Sequence, residues 1–524
     1  MGATVPLRLL EALDAFEEAR EFFEGLPEFL STPEALDMNH SDMERELEQR
    51  GRELMRKLYQ GWLDEMSRGK VDGPVRDTEG QERTRQRQQA RGLDTVFGSV
   101  TVERTGHGAQ GEASLHPLDG HLNLPEERYS HELRRRAAEE ASKSSFDETV
   151  ETLARYTGTR VPKRQVEELV RRAAQDFEAF YEARRRETPR TEEDGSVLVI
   201  TADGKGVVVH KEDLRPATRR AAERRRNKMT TRLSKGEKKN RKRMSTVAAV
   251  YTIRPYVRTP QQVQRALARV RLEDGVDVPR RPRPEHKRVW ASLEQDPVDV
   301  LEEAFQEALR RDPDRRKSWV SVVDGDEHQL DILENLAEQY GVQLTIIIDI
   351  VHVLGYLWKA GHAFEPQGSG ELEHWVLDRL GRVLEGRASQ VAAGMRRSAT
   401  MRSLRKSRRA PVDTCANYLL KYKDYLAYDQ YLAAGFPVGS GVIEGACRHL
   451  VKDRLDLTGA RWRLAGAEAV LRLRALRSSQ DFEEYWGFHE ACEHDRNHSA
   501  RYADREVPRL TFGRGKPPKL RPLE

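Results

Sequence analysis

The sequence predicts a multidomain α/β protein, and three observations carry that expectation. At 524 residues the chain exceeds what one hydrophobic core organises, so two or more domains are expected. Towards the N-terminus, apolar residues recur at helical spacing, as in Leu9, Leu10, Leu13, Phe16 and Ala19. From about residue 195 the pattern changes to short runs rich in Val, Ile and Thr, separated further along by amphipathic helical stretches, which is the signature of an α/β sheet.

Taken in order, residues 1–70 predict an N-terminal helical region, in which Ser41-Asp42-Met43-Glu44 has capping-box form ahead of Leu47, Leu54 and Leu58. A packed helical pair and a dimer contact both satisfy this pattern. Residues 71–190 predict a helical DNA-binding region. A polar, Arg- and Gln-rich linker over 67–92 leads to an alternating stretch at 95–102 that predicts a small hairpin. A helix-turn-helix is predicted at 145–172. Ser145 caps its first helix, Gly158 permits the turn, and Pro162 starts a second helix with Val166, Leu169 and Val170 inward. Lys163 and Arg164, with Arg171 and Arg172, then fall on the exposed face, at the end of the helix from which groove readers reach base edges. The plainer alternative is a helical hairpin with a solvated basic face.

In residues 191–355, strands are predicted at 197–202, 206–210 and 246–253, then a helix around 298–305, a strand ending at Asp324, a helix around 330–340 and a strand at 344–348. Three strands followed by alternating helix and strand describe a ribonuclease H-like core, in which the first and fourth strands are neighbours. A basic loop at 214–243 includes Arg241, Lys242 and Arg243. Its place beside the sheet predicts contact with nucleic-acid backbone, although a solvated loop is the ordinary reading of a charge run. Residues 356–435 predict a basic helical insertion, 436–478 the last part of the core, and 479–524 a polar, poorly ordered tail.

Three acids carry the chemistry. Asp203 and Asp324 each close an apolar strand, and Glu444 follows Gly439-Ser440-Gly441-Val442-Ile443 where glycines give way to a helix. Strand ends are rigid places from which to present a metal ligand, and three carboxylates suffice for a pair of Mg²⁺ ions serving phosphodiester cleavage, with Mn²⁺ as a substitute. Asp-Gly after a strand is also an ordinary turn signal, so the joint pattern carries more weight than either aspartate. Asp349, in Asp349-Ile350-Val351-His352, is a rival second ligand; with Asp324 preferred, Asp349 and His352 become accessory groups. His489, Cys492, His494 and His498 are close in sequence but match no standard zinc spacing, and no Walker-type loop is present.

Composition narrows the setting. The net charge of +4 is the small difference of 90 basic and 86 acidic residues, so local runs matter more than the total. Three cysteines make no disulfide framework, and the first residues lack an export signal. The most apolar stretch, 344–358, is too short to span a bilayer. A soluble, cytoplasmic protein without a membrane partner is expected.

The blocks Thr201-Ala202-Asp203-Gly204-Lys205-Gly206, Lys239-Asn240-Arg241-Lys242-Arg243-Met244, Asp324-Gly325-Asp326, Asp349-Ile350-Val351-His352 and Gly439-Ser440-Gly441-Val442-Ile443-Glu444, continuing to Thr458-Gly459-Ala460-Arg461-Trp462, together resemble bacterial insertion-sequence DDE transposases of the ISKra-type family. The resemblance spans about 90–470 and implies Mg²⁺-dependent cleavage and strand transfer, binding of double-stranded DNA at the element's terminal inverted repeats and at the target, and a homo-oligomer assembled on DNA. Carried over, the acids are Asp203, Asp324 and Glu444, and the Asp349/His352 pair looks like an accessory D-x-x-H motif. Here Val438 and Gly441 precede the glutamate where some relatives carry tyrosine and arginine, and Arg448 and Lys452 follow as candidate phosphate clamps. A transposase-derived DNA-binding regulator without catalysis is the alternative.

Overall fold

The computed structural model describes residues 14–187, 195–224, 241–268, 281–457 and 460–512. The chain divides into two compact units, one of residues 1–180 with 483–524 and one of residues 181–482.

The second unit is built on a mixed five-stranded sheet. Its strands are β1 (Val197–Val208), β2 (Lys242–Ile253), β3 (Glu285–Ser292), β4 (Ser318–Val323) and β5 (Leu344–Ile348), in the order β3-β2-β1-β4-β5. β1, β2 and β3 are antiparallel neighbours, whereas β4 runs parallel to β1 and β5 parallel to β4. Leu198, Val199 and Ile200 of β1 and Val247 to Val250 of β2 are all fully buried, as near-continuous apolar runs require when both faces of a sheet are covered. Helix Pro297–Arg311 packs on β1 and β2, and helix Leu464–Ser479 on β3.

Two strand expectations are corrected here. The stretches at 197–202 and 206–210 are one strand, because Gly204 and Gly206 lie within the ladder opposite Thr246 and Met244. These glycines mark a close approach rather than a turn: a Cβ on Gly206 would stand 2.9 Å from Lys242 Cδ. Asp203 therefore sits inside β1, not at its end. The third strand is β3, whose polar first half, Glu285-His286-Lys287-Arg288, hid it in a charged stretch. Lys242 and Arg243 open β2 and Arg241 immediately precedes it, and residues 225–240 of the expected basic loop lie outside the described residues. The expected insertion is helical, with helices Gly370–Leu384, Ala388–Met401, Lys406–Lys421 and Tyr428–Ala433.

In the first unit, helices Glu17–Leu30 and His40–Ser67 pack together. The long helix is capped by Asn39, whose side chain accepts from Asp42 N at 3.0 Å, and not by Ser41 as its sequence form predicted. The Arg- and Gln-rich stretch expected as a linker supplies a strand instead. Arg85–Thr95 pairs with Gly98–Gly108, and Leu93, Val100 and Val102 pack on Leu63. Helices Phe146–Thr157 and Lys163–Ala173 follow with the expected capping box at Ser145, a left-handed Gly158 (φ 68) and Pro162 at the second N-terminus. The polar tail expected from 479 is helical over Phe482–Asn497, where Tyr485 Oη donates to the Ala173 carbonyl at 2.6 Å and Glu493 accepts from buried Arg134 at 2.9 Å. Residues 513–524 lie outside the described residues. Among the described residues no helix is long and apolar enough to cross a membrane.

Candidate active site

The parallel pairing of β1 with β4 brings two of the acids together. Val197 stands opposite Ser318 and Ile200 opposite Ser321, an offset that, continued along both chains, sets Asp203 opposite Asp324. Thr201 Oγ1 donates to the Val322 carbonyl at 2.6 Å and keeps the strands joined just before the acids. Burial raises the Asp203 pKa from its ordinary value and the charge of Asp324 adds to the rise, while Cys447, the Gly204 N–H and Lys205 oppose it. Cys447 Sγ donates to Asp203 Oδ2 at 3.3 Å.

Asp324 is held through its backbone. Gly325 follows in a left-handed conformation (φ 93), Asp324 Oδ1 accepts from Asp326 N at 3.0 Å, and Tyr418 Oη donates to the Asp324 carbonyl at 2.9 Å. Tyr422 Oη donates to the next carbonyl, that of Gly325, at 2.6 Å. Both tyrosines come from the helical insertion, so that insertion buttresses the turn carrying the acid.

Glu444 lies on the short helix Gly441–Ala446, which packs on β1 and β2. It is exposed, yet desolvation raises its pKa, and the charges of Asp349 and Asp203 raise it further while His352 opposes them. The helix then widens into a π-helical turn, Cys447–Lys452, a departure that recurs at functional sites. Arg474 satisfies two carbonyls of that turn, donating to Leu450 at 2.8 Å and to His449.

Asp349 has a different place. It is 1% exposed, caps helix Ile350–Gly361 by accepting from Val351 N at 2.8 Å, and accepts from Ser440 Oγ through its other oxygen. The neighbouring Ile350 N donates to the Val438 carbonyl at 3.0 Å. Asp349 thus ties the loop that precedes Glu444 to the end of β5. His352 is exposed, one helical turn further on.

The predicted basic residues are dispersed. Lys163 pairs with Asp147 at 2.7 Å, and Arg164 is exposed at the start of the same helix. Arg171 and Arg172 pair with Glu168 and Glu127. Arg243 donates to the Leu293 and Asp213 carbonyls at 2.7 and 3.0 Å, so its guanidinium serves the fold. Arg241 and Lys242 are half-buried, while Arg448 (3.7 Å from Asp453) and Lys452 are exposed. His489, His494 and His498 each bond a different partner, Asp176, the Gly120 carbonyl and the Leu124 carbonyl.

Cys447, Tyr418, Tyr422 and the clamp between Ser440 and Asp349 were not anticipated. Cys447 follows Glu444 by three residues, a spacing that puts both on one helix face and could have flagged it. Nothing local flags the tyrosines. Among the described residues no three His, Cys, Asp or Glu side chains form a group that could hold a metal ion. The donor chemistry still fits a hard divalent cation: the rise of Asp203 and Glu444 comes partly from neighbouring carboxylate charge, which such a cation relieves.

No family model matches this chain, and no curated protein matches it.

Proposed function

We propose that this chain is a DDE transposase, which binds the terminal inverted repeats of its insertion sequence and catalyses Mg²⁺-dependent DNA cleavage and strand transfer. The observation that carries the reading is that Asp203 in β1 and Asp324, one residue past the end of the parallel neighbour β4, fall at matched positions when the strand register is continued, with Asp324 and Glu444 both within electrostatic reach of Asp203. The strand order β3-β2-β1-β4-β5 supports assigning the sheet to the ribonuclease H-like class.

On this reading water attacks the phosphodiester at the element end and the 3′ oxygen leaves; the freed 3′ hydroxyl then attacks a target phosphodiester at the same site, and the target strand's own 3′ oxygen leaves. Held by Asp203, Asp324 and Glu444, two Mg²⁺ ions would activate the nucleophile and neutralise the leaving oxygen. The rest falls to the protein. Asp349 and Ser440 position the loop before Glu444, Tyr418 and Tyr422 fix the Asp324 turn, and the thiol of Cys447 orients one oxygen of Asp203. Lys163 and Arg164 contact base edges, while Arg241, Lys242, Arg448 and Lys452 contact backbone. The protein works in the cytoplasm as a homo-oligomer assembled on DNA.

The test is incubation of the purified chain with DNA carrying the flanks of its own gene, in Mg²⁺ and separately in Ca²⁺. Cleavage in Mg²⁺ alone is expected. A second reading, a DNA-binding regulator of transposase descent, is favoured by the lack of a ready three-ligand group among the described residues, and it predicts end binding without cleavage in either ion. Specificity is tested separately: replacing Lys163 and Arg164 with Ala is expected to cost about 1–3 kcal/mol of end preference per lost base contact, measured as the ratio of affinities for end and random duplexes. An unchanged ratio overturns the helix-turn-helix assignment.

A further inference from the structure

The first unit contains a cavity of about 170 Å³, lined by both charged and apolar residues, none of which belongs to the candidate active site. The hairpin register sets Gln89 opposite Arg104 and Arg91 opposite Val102, so Arg91 and Arg104 are diagonal neighbours on one face. Both line the cavity and are largely buried, and exposed Arg501 joins them from the C-terminal segment. Against these three guanidinium groups stands one buried carboxylate, Asp119, which pairs with Arg104 and lies 3.6 Å from Arg91; Glu126 also lines the cavity but is mostly exposed. Burial pushes the Arg104 guanidinium down to about 10, and burial, then Arg104 and Arg91, pushes His116 down to about 4, so His116 adds no charge. Arg104 Nε and Asp119 Oδ1 are buried without a hydrogen-bond partner among the described residues, and Asp119 is only 6% exposed.

We propose that this cavity binds a protonated phosphate group, either inorganic phosphate or the terminal monoester of a nucleotide. Arg91, Arg104 and Arg501 supply charge and N–H donors for the bare oxygens. Asp119 Oδ1 can only accept, and it takes the hydrogen of a P–OH. A phosphate monoester retains such a hydrogen near its second pKa of about 6, whereas sulfate and a backbone phosphodiester have none. The carboxylate that weakens the site for sulfate or a phosphodiester therefore favours a protonated phosphate.

Calorimetric titration of the full chain at about pH 6, without metal or DNA, tests the site with sodium phosphate, sodium sulfate and a nucleoside 5′-monophosphate. Saturable phosphate binding is expected, with sulfate weaker by about tenfold or more, since it leaves Asp119 Oδ1 without a donor. Arg501→Ala, at an exposed position, is expected to weaken phosphate by about threefold or more. Asp119→Asn, checked for folding by circular dichroism, is expected to bring sulfate and phosphate to parity. Tighter binding of the nucleotide than of phosphate assigns the monoester, and the reverse assigns the free ion. Absence of saturable phosphate binding by the unaltered chain, or equal binding of sulfate, overturns the proposal. Because the titration involves neither the acids nor DNA, either result leaves the transposase reading to its own test.

Discussion

Asp324 and Asp349 follow neighbouring parallel strands and precede helices, yet their carboxylates are held in opposite ways. At Asp324 two residues intervene before the helix Glu327–Tyr340, and Asp326 takes the capping position, accepting from Gln329 N at 3.1 Å. Asp324 is left half-buried and faces Asp203. At Asp349 the helix begins at the next residue, so Asp349 is itself the cap, and Ser440 occupies its second oxygen. The distance from an acid to the start of the following helix thus separates a candidate ligand from a structural cap, because a free helix end demands an acceptor wherever it begins.

The comparison is broken or sharpened by substitutions, the largest effect first. Asp324→Ala is expected to lower cleavage by about a thousandfold or more, as loss of several kcal/mol of transition-state stabilisation requires, while the urea unfolding midpoint hardly moves. Asp203→Asn is expected to do the same and to leave end binding intact, measured by gel shift beside a cleavage assay. Substantial cleavage by either variant removes that acid from the site.

Asp349→Ala reverses the pattern. Loss of the cap and of the partner of Ser440 is expected to destabilise the protein by about 1–2 kcal/mol in equilibrium unfolding, with cleavage still detectable. Full stability together with dead chemistry exchanges the roles of the two aspartates. Tyr418→Phe removes one hydrogen bond to the Asp324 carbonyl and is expected to cost about 0.5–1.5 kcal/mol, with cleavage lowered by less than tenfold. A larger loss of cleavage at unchanged stability makes the insertion a direct participant in the site.

Much of the local structure was legible. The helical hairpin at 145–172 has its ends where Ser145, Gly158 and Pro162 place them, since capping and left-handed turns are decided by a few adjacent residues. The strands ending before Asp324 and Asp349 were legible for the same kind of reason, as short apolar runs bounded by turn residues. β1 was split in error because glycine is both a turn former and the residue that permits close cross-strand approach, and only its partner strand distinguishes the two. The strand Arg85–Thr95 was missed because six of its eleven residues are Arg or Gln, and the ladder to Gly98–Gly108 makes it a strand despite that composition.

By itself, then, the sequence determined the mixed α/β character of the chain, the kinds of most of its elements and the identity of the acids, because periodicity, capping and turn chemistry act over a few residues. The tertiary structure decided which acids meet, which one is consumed as a helix cap, and that the chain from Glu483 returns to the first unit. Those outcomes depend on strand register and on hydrogen bonds between residues tens to hundreds of positions apart, such as Tyr418 with Asp324 and Arg134 with Glu493, and no local pattern encodes such a partner.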